Sequence, residues 1–462
     1  VTTRTFGATI TEGPQHWAIV QRQRESGTIA LAGEWSTRDG SRPDQPTVHA
    51  RVVHEDGRGA VVPWIRCATG EDGTWSVRLE VPEGGLYRIE TCLRLNDLQP
   101  MELAARGDMI HHIGIGDIWV IAGQSNATGY GRGAVSDSPE TGVHLLRHNG
   151  RWDLATHPFN ESTDTVQPLN GEPVNPGHSP YLAFAKELKK ATGIPIGLLQ
   201  TALGGSPLSR WNPNEDGDLY RNMMEVVGAA GGEIKGVLWY QGCSDCDSEN
   251  APSYYRRFAL MVERWRQDTG DDKLPFLSVQ LNRNAAYAEG IEGDRCWGLV
   301  REAQRRAAER IAGVEIVPSL DSPLSDIIHN GPAGNLMIGW RLANTALGAV
   351  YGKAIPHRAP NLALAVRGEA EQTVLLQFDD IHGQLFAVGP GERIFSIEDE
   401  KGFHVVDRWQ VREGSRIELI LSRPLEGKAF VHGAFEANPS AFPLLDTGTQ
   451  LPMLSFYGVE IE

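Results

Sequence analysis

Between about residue 113 and residue 353 the sequence repeats one unit: a short apolar run, a loop, then a segment with helical periodicity. The apolar runs cover 117–122, 196–201, 236–240, 276–280 and 315–317. Side chains on a strand alternate between faces, so a run apolar at nearly every position needs cover on both sides. That is the condition of a parallel strand packed between helices. The intervening segments can supply that cover. Tyr254, Phe258, Met261 and Trp265 recur at spacings of three and four, and Leu336, Trp340, Leu347 and Tyr351 form a second stripe. Strands alternating with helices imply right-handed crossovers and a three-layer α/β/α sandwich on five parallel strands.

The flanks read differently. Residues 1–112 hold short β-like runs at 17–20, 28–31, 48–53, 75–81 and 87–93, separated by clusters of Gly, Pro, Asp and Ser. A small β-sandwich is expected there. After residue 356 the helical pattern stops, and 373–378, 417–421 and 429–432 again alternate. The expected division is 1–112 and 357–462 as β-rich domains around a 113–356 α/β domain, in keeping with a length of 462 residues.

Bulk properties exclude some functions. A formal charge of -16 repels phosphate backbones, so nucleic acid is not an expected partner. No apolar run is long enough to span a bilayer. The start, VTTRTFGATI, has no basic segment followed by an apolar one, so a signal peptide is absent or was removed. Cys67, Cys92, Cys243, Cys246 and Cys296 are too few and odd in number for a disulfide framework. Cys67 could pair with Cys92, and Cys243 with Cys246, in an oxidising compartment. A secreted or periplasmic setting is favoured over a cytoplasmic one. Oligomeric state is left open.

Open parallel sheets bind ligands beyond the carboxyl ends of their strands. The loops there read Gly123-Gln124-Ser125-Asn126, Leu203-Gly204-Gly205-Ser206, Gln241-Gly242-Cys243-Ser244-Asp245, Asn282-Arg283-Asn284, and Asp321 onward to Asp326-Ile327-Ile328-His329. A serine beside glycine just after a strand can present its hydroxyl at the sheet edge. That hydroxyl needs a base and a carboxylate to orient the base. Asp326 and His329, three residues apart, suit those parts. Gly204-Gly205 lets backbone N–H groups approach an oxyanion, and Gln241 offers an amide. Either fragment alone is more often an ordinary turn. Their common position at strand ends, in one order, carries the argument.

That order resembles a family. GDIWVIAGQSN, IGLLQTALGGSPLSRW, GVLWYQGCSD, LPFLSVQLN, WGLVREAQR and SDIIHN look like the sialate O-acetylesterase and related carbohydrate esterase group of the SGNH hydrolases, over about residues 113–353. The resemblance implies a flavodoxin-like SGNH fold, no cofactor, no metal, and hydrolysis of acetyl esters on sugars such as O-acetylated sialic acid or xylan. It implies Ser125 as nucleophile, His329 as base, Asp326 as its orienting partner, and Ser125, Gly205 (or Gly204) and Gln241 around the oxyanion. Gln124, Asn126 and Trp211 are expected to contact substrate. Cys243 departs from the pattern, because the third block commonly carries Glu there. A general short-chain esterase is the alternative with the same chemistry. A carbohydrate-binding protein with a decayed site is the alternative without it. Cys243-Ser244-Asp245-Cys246 as a redox or metal motif is disfavoured, since no second ligand pair accompanies it. His111 and His112 are expected as solvated linker residues, and His178 beside a helix start.

Overall fold

The computed structural model describes residues 6–38, 45–70, 72–161, 163–172, 174, 176–286, 290–388, 393–404, 406–412 and 415–462. At its centre is a mixed sheet in an α/β arrangement, with β-rich regions on either side. The strands Val143–Leu146, Ile196–Gln200, Ala105–Gly123, Gly236–Tyr240, Phe276–Val279 and Val314–Val317 lie side by side in that order, each pair parallel. Trp152–Leu154 adds an antiparallel edge. Ile118 to Ala122 are entirely buried, as a strand covered on both faces requires. The Val143–Leu146 strand escapes a sequence reading because it is a four-residue element with a buried His144 at its second position.

One strand joins the N-terminal region to this sheet. Residues Ala105–Gly123 pair antiparallel with Gly84–Arg94 over their first part, and parallel with Ile196–Gln200 and Gly236–Tyr240 over their last. A single buried cluster accordingly runs from Ala8 through the central strands to Leu347. His111 and His112 therefore lie inside a strand rather than in a linker, and His112 Nδ1 lies 2.8 Å from Glu55. The C-terminal strands, from Asn361–Arg367 to Phe456–Glu460, enclose a separate apolar cluster centred on Leu376, Ile397 and Phe456. Among the described residues no helix is long and apolar enough to cross a membrane.

Two histidines are buried deep in this framework. His144 donates from Nδ1 to the Trp17 carbonyl at 2.6 Å, while His432 accepts the Gly458 N–H on Nδ1 at 3.0 Å. Burial pushes both imidazoles from 6.5 down to about 4. As pH falls below the unfolded value, the unfolded chain binds protons that the folded rings refuse. The stability these neutral rings contribute is present above 6.5 and is lost as pH drops towards 4. Calorimetry across that window should show a falling thermal midpoint, worth up to about 1.4 kcal/mol per pH unit for each ring. The fall should be shallower in His432→Gln. A midpoint flat across the window would contradict it.

Candidate active site

The central strand ends at Gly123, and the chain turns at once into a single helical turn, Ser125–Thr128. Gly123 has φ 132°, and a Cβ there would stand 2.2 Å from the Tyr240 carbonyl oxygen of the neighbouring strand. Only glycine passes that close. The turn puts Ser125 at the first position of the helix, where its own N–H has no partner within the helix. Ser125 keeps 8% of its surface exposed.

The facing loop is folded by Asp326. Its Oδ1 accepts the N–H groups of Ile328 at 2.9 Å and His329 at 2.7 Å, and its Oδ2 lies 2.8 Å from His329 Nδ1. One carboxylate thus shapes the loop and orients the ring it carries. His329 Nε2 lies 2.9 Å from Ser125 Oγ. Asp326, His329 and Ser125 form one continuous hydrogen-bonded chain. Burial alone would raise the Asp326 pKa, but the bonds from Ile328 and His329 outweigh it and hold the carboxyl below its usual range.

Asparagines stitch the two loops together. Asn126 Oδ1 accepts the Asn330 N–H at 2.9 Å, and its Nδ2 donates to the Ile328 carbonyl at 3.3 Å. Asn282 Nδ2 donates to Ile328 O at 2.8 Å and to Asn330 Oδ1 at 2.9 Å. Asn126 is 4% exposed, and these bonds brace the turn. Gln124 is a brace as well. Its Oε1 accepts the N–H groups of Gly242 at 2.9 Å and Ser244 at 3.4 Å.

Gln241 and Trp211 both lie in the interior. Gln241 is fully buried, and its amide donates to Asp245 Oδ2 at 2.6 Å and to the Ser206 carbonyl at 3.2 Å. Both N–H groups are engaged, so it does not point an amide at Ser125. Asp245 also accepts the Leu208 N–H at 2.9 Å and pairs with Arg257 at 3.2 Å, so the Gln241 amide is one of three donors around this buried carboxylate. Trp211 is also fully buried, packed edge-on to Trp239 and bonded through Nε1 to Ser206 Oγ at 3.0 Å. Its faces serve the core and offer nothing to a sugar.

The Gly204-Gly205 loop is tied to the nucleophile strand, since Leu203 N–H and Ser206 Oγ both donate to the Gly123 carbonyl, at 3.1 and 3.2 Å. Gly205 has φ 67°, and a Cβ there would meet nothing within 4 Å, so it borders open space. Cys243, where the resembling sequences carry Glu, is neutral, because burial pushes its thiol up to about 12. All five thiols are free, so neither expected pair is a disulfide here. Tyr130, Glu172, Asn282, Asn330 and Arg301 take part in or support these loops and escape the sequence reading. Asn282 and Asn330 sit within or beside the singled-out loops and could have been found. Glu172 lies in a stretch with no periodicity to flag it.

His178 belongs to another cluster. His157 Nε2 and His178 Nε2 each lie 3.0 Å from Asp137 Oδ2, and Lys186 donates to Asp137 Oδ1 at 2.9 Å. The three residues bring ligand-type atoms within 4.8 Å of one another. With the Lys186 charge on Asp137 and the two imidazoles tilted at 32° with centroids 4.0 Å apart, it is, as it stands, a hydrogen-bonded ion-pair cluster.

The family described as carbohydrate esterase, sialic acid-specific acetylesterase, matches residues 115–348, half of the chain. The chain belongs to this family. It is therefore a carbohydrate esterase by membership, and an acetylated carbohydrate is the substrate class the family implies. A probable carbohydrate esterase of Arabidopsis thaliana is 29% identical over 254 residues, covering 50% of this chain and 90% of that protein. The sialate O-acetylesterase of Homo sapiens is 22% identical, covering 54% of each chain. This protein thus spans about half the length of that relative. A crystal structure of a carbohydrate acetylesterase from Xanthomonas citri shares the fold, with a TM-score of 0.67 and 24% identity over 96% of this chain and 97% of that one.

Proposed function

We propose that this protein removes acetyl groups from carbohydrates by a Ser125-His329-Asp326 acyl-enzyme mechanism, on an SGNH-type three-layer domain spanning residues 113–356. The relay from Asp326 through His329 to Ser125, at 2.8 and 2.9 Å, carries this reading. His329 Nε2 takes the Ser125 proton as Oγ attacks the acetyl carbonyl. Asp326 keeps Nδ1 protonated and steadies the imidazolium that forms. The N–H groups of Ser125 and Gly205 hold the oxyanion. As the bond to the sugar breaks, His329 gives its proton to the departing sugar oxygen, which leaves as the hydroxyl; water, deprotonated by the same imidazole, then attacks the acetyl-enzyme, and the proton returns to Ser125 Oγ as acetate leaves. The β-rich regions 1–112 and 357–462 brace this domain.

The substrate is O-acetylated sialic acid or an acetylated xylan-type polysaccharide. The family description and the sialate O-acetylesterase relatives support the first, and the wider carbohydrate esterase neighbours leave room for the second. Acetate release from acetylated sialic acid, acetylated xylan and p-nitrophenyl acetate decides between them. A clear preference for one sugar is expected. Equal turnover of p-nitrophenyl acetate with neither sugar accepted would replace the carbohydrate reading with a general short-chain esterase.

A further inference from the structure

Glu172 is a buried carboxylate, 8% exposed, that the chemistry above does not use. The residues just before it are moored to the sheet, because buried Asn170 donates to the Gln200 carbonyl at 3.2 Å, at the end of the Ile196–Gln200 strand. From there its two oxygens go separate ways. Oε1 accepts the Gly204 N–H, and Oε2 accepts the Tyr130 hydroxyl at 2.7 Å. Burial and the Glu172 bond push the Tyr130 phenol above its ordinary range, so it remains a donor. The three groups also pack as one unit. A Cβ on Gly204 would come within 2.3 Å of Tyr130 Oη and 2.8 Å of Glu172 Oε1.

Each end of this unit reaches a different part of the site. The Tyr130 ring lies against the His329 ring, with centroids 4.8 Å apart and planes at 53°. It closes one side of the space in which the imidazole could turn. At the other end, Glu172 takes the Gly204 N–H and leaves Gly205, on the open side, to face the oxyanion. Bonds accepted by a carboxylate are the stronger kind, and a desolvated carboxylate holds its donors firmly.

We propose that Glu172 is a positioning residue for the esterase reaction: through Gly204 it sets the oxyanion loop, and through Tyr130 it confines the His329 ring. The proposal rests on Ser125 being the nucleophile. Both effects fall on the transition state rather than on the bound substrate, so they belong in kcat.

The test is steady-state kinetics on p-nitrophenyl acetate for Glu172→Ala, Glu172→Gln and Tyr130→Phe, with thermal midpoints recorded. Glu172→Ala should lose about 10- to 100-fold in kcat, somewhat less than removal of an oxyanion donor itself, with KM within about 2-fold. Glu172→Gln keeps an acceptor for the Gly204 N–H and should stay within about 5-fold of the native rate. Tyr130→Phe should fall between them. Glu172→Asp, too short by one methylene to reach both partners, takes the place of Glu172→Ala if that variant fails to fold. A kcat within about 3-fold of native in Glu172→Ala, a loss confined to KM, or equal loss in Glu172→Gln would overturn the proposal. If the native protein neither hydrolyses ester nor reacts with a fluorophosphonate, the esterase reading fails by itself. The clamp is then judged by Gly204 amide exchange. Protection lost at least about tenfold in Glu172→Ala sustains it, and an unprotected native amide rejects it.

Discussion

Replacing Ser125 with alanine is expected to lower acetate release by about 10⁴- to 10⁶-fold while moving the thermal midpoint by no more than about 2 °C. The two halves of that expectation have separate causes. The hydroxyl is the atom that bonds to carbon, and it is the group His329 faces at 2.9 Å. The serines of the two adjoining strand-end loops, Ser206 and Ser244, are committed elsewhere. Ser206 Oγ donates to the Gly123 and Leu203 carbonyls, and Ser244 Oγ accepts from Gln124. Stability should hardly change, since the turn is built by Gly123, the Gln124 carbonyl that accepts the Ala127 and Thr128 N–H groups, and the Asn126 stitches. Alanine is also the best helix former at that position. A variant that kept more than about 1% of native activity would show that another group is the nucleophile.

The largest stability effect should come from Arg301→Met. Arg301 is fully buried on the Gly290–Arg310 helix, and among the described residues its guanidinium donates to five backbone carbonyls. It reaches Leu281 at 3.0 Å, Asn282 at 2.5 Å, Phe435 at 3.1 Å, Glu436 at 2.6 Å and Ala437 at 3.3 Å. The Glu436 carboxyl adds an electrostatic attraction to it. Burial pulls its pKa down to about 10, so it remains charged near neutral pH. Methionine fills the stem of the space but leaves carbonyls of two regions without a donor. A loss of about 3–5 kcal/mol is expected in denaturant unfolding. Arg301→Lys should lose less, keeping the charge but not the planar fork. Activity should fall as well. Asn282, held by Arg301 through its carbonyl, in turn holds the Ile328 carbonyl and Asn330 on the His329 loop. A loss under about 1 kcal/mol would show that water or rearranged backbone satisfies these carbonyls instead.

Arg301 also shows why the C-terminal region matters to the site. The link runs from 435–437 through Arg301 to the loop after the Phe276–Val279 strand, and the Asn284 N–H donates to Ala437 O at 2.9 Å. Sequence patterning cannot reveal such a contact, because residues 301 and 437 meet only after both regions have folded.

What was legible in the sequence follows from local physics. Continuous apolar runs mark strands covered on both faces, and the stripe Tyr254, Phe258, Met261 and Trp265 marks a buried helix face. The second stripe does not, because Trp340 is 47% exposed and the Pro332–Thr345 helix buries Ile338, Leu342 and Ala343 instead. Alternation in the flanks marks their β character. Glycine beside Ser125 marks a turn too tight for a side chain, and the three-residue spacing of Asp326 and His329 suits a carboxylate that caps its own turn. Order along the chain was enough for the family resemblance. The tertiary structure decided the rest, because hydrogen-bond partners are chosen by proximity in space. It turned Gln241 inward to satisfy Asp245, put Trp211 in the core, and made braces of Gln124 and Asn126. It also brought Glu172 and Tyr130 to Gly204 and His329 from segments whose sequences carry no period. Periodicity reports which face of an element is buried. It cannot report which polar group will be waiting there, and a dry interior forces each such group to find a partner wherever the fold provides one.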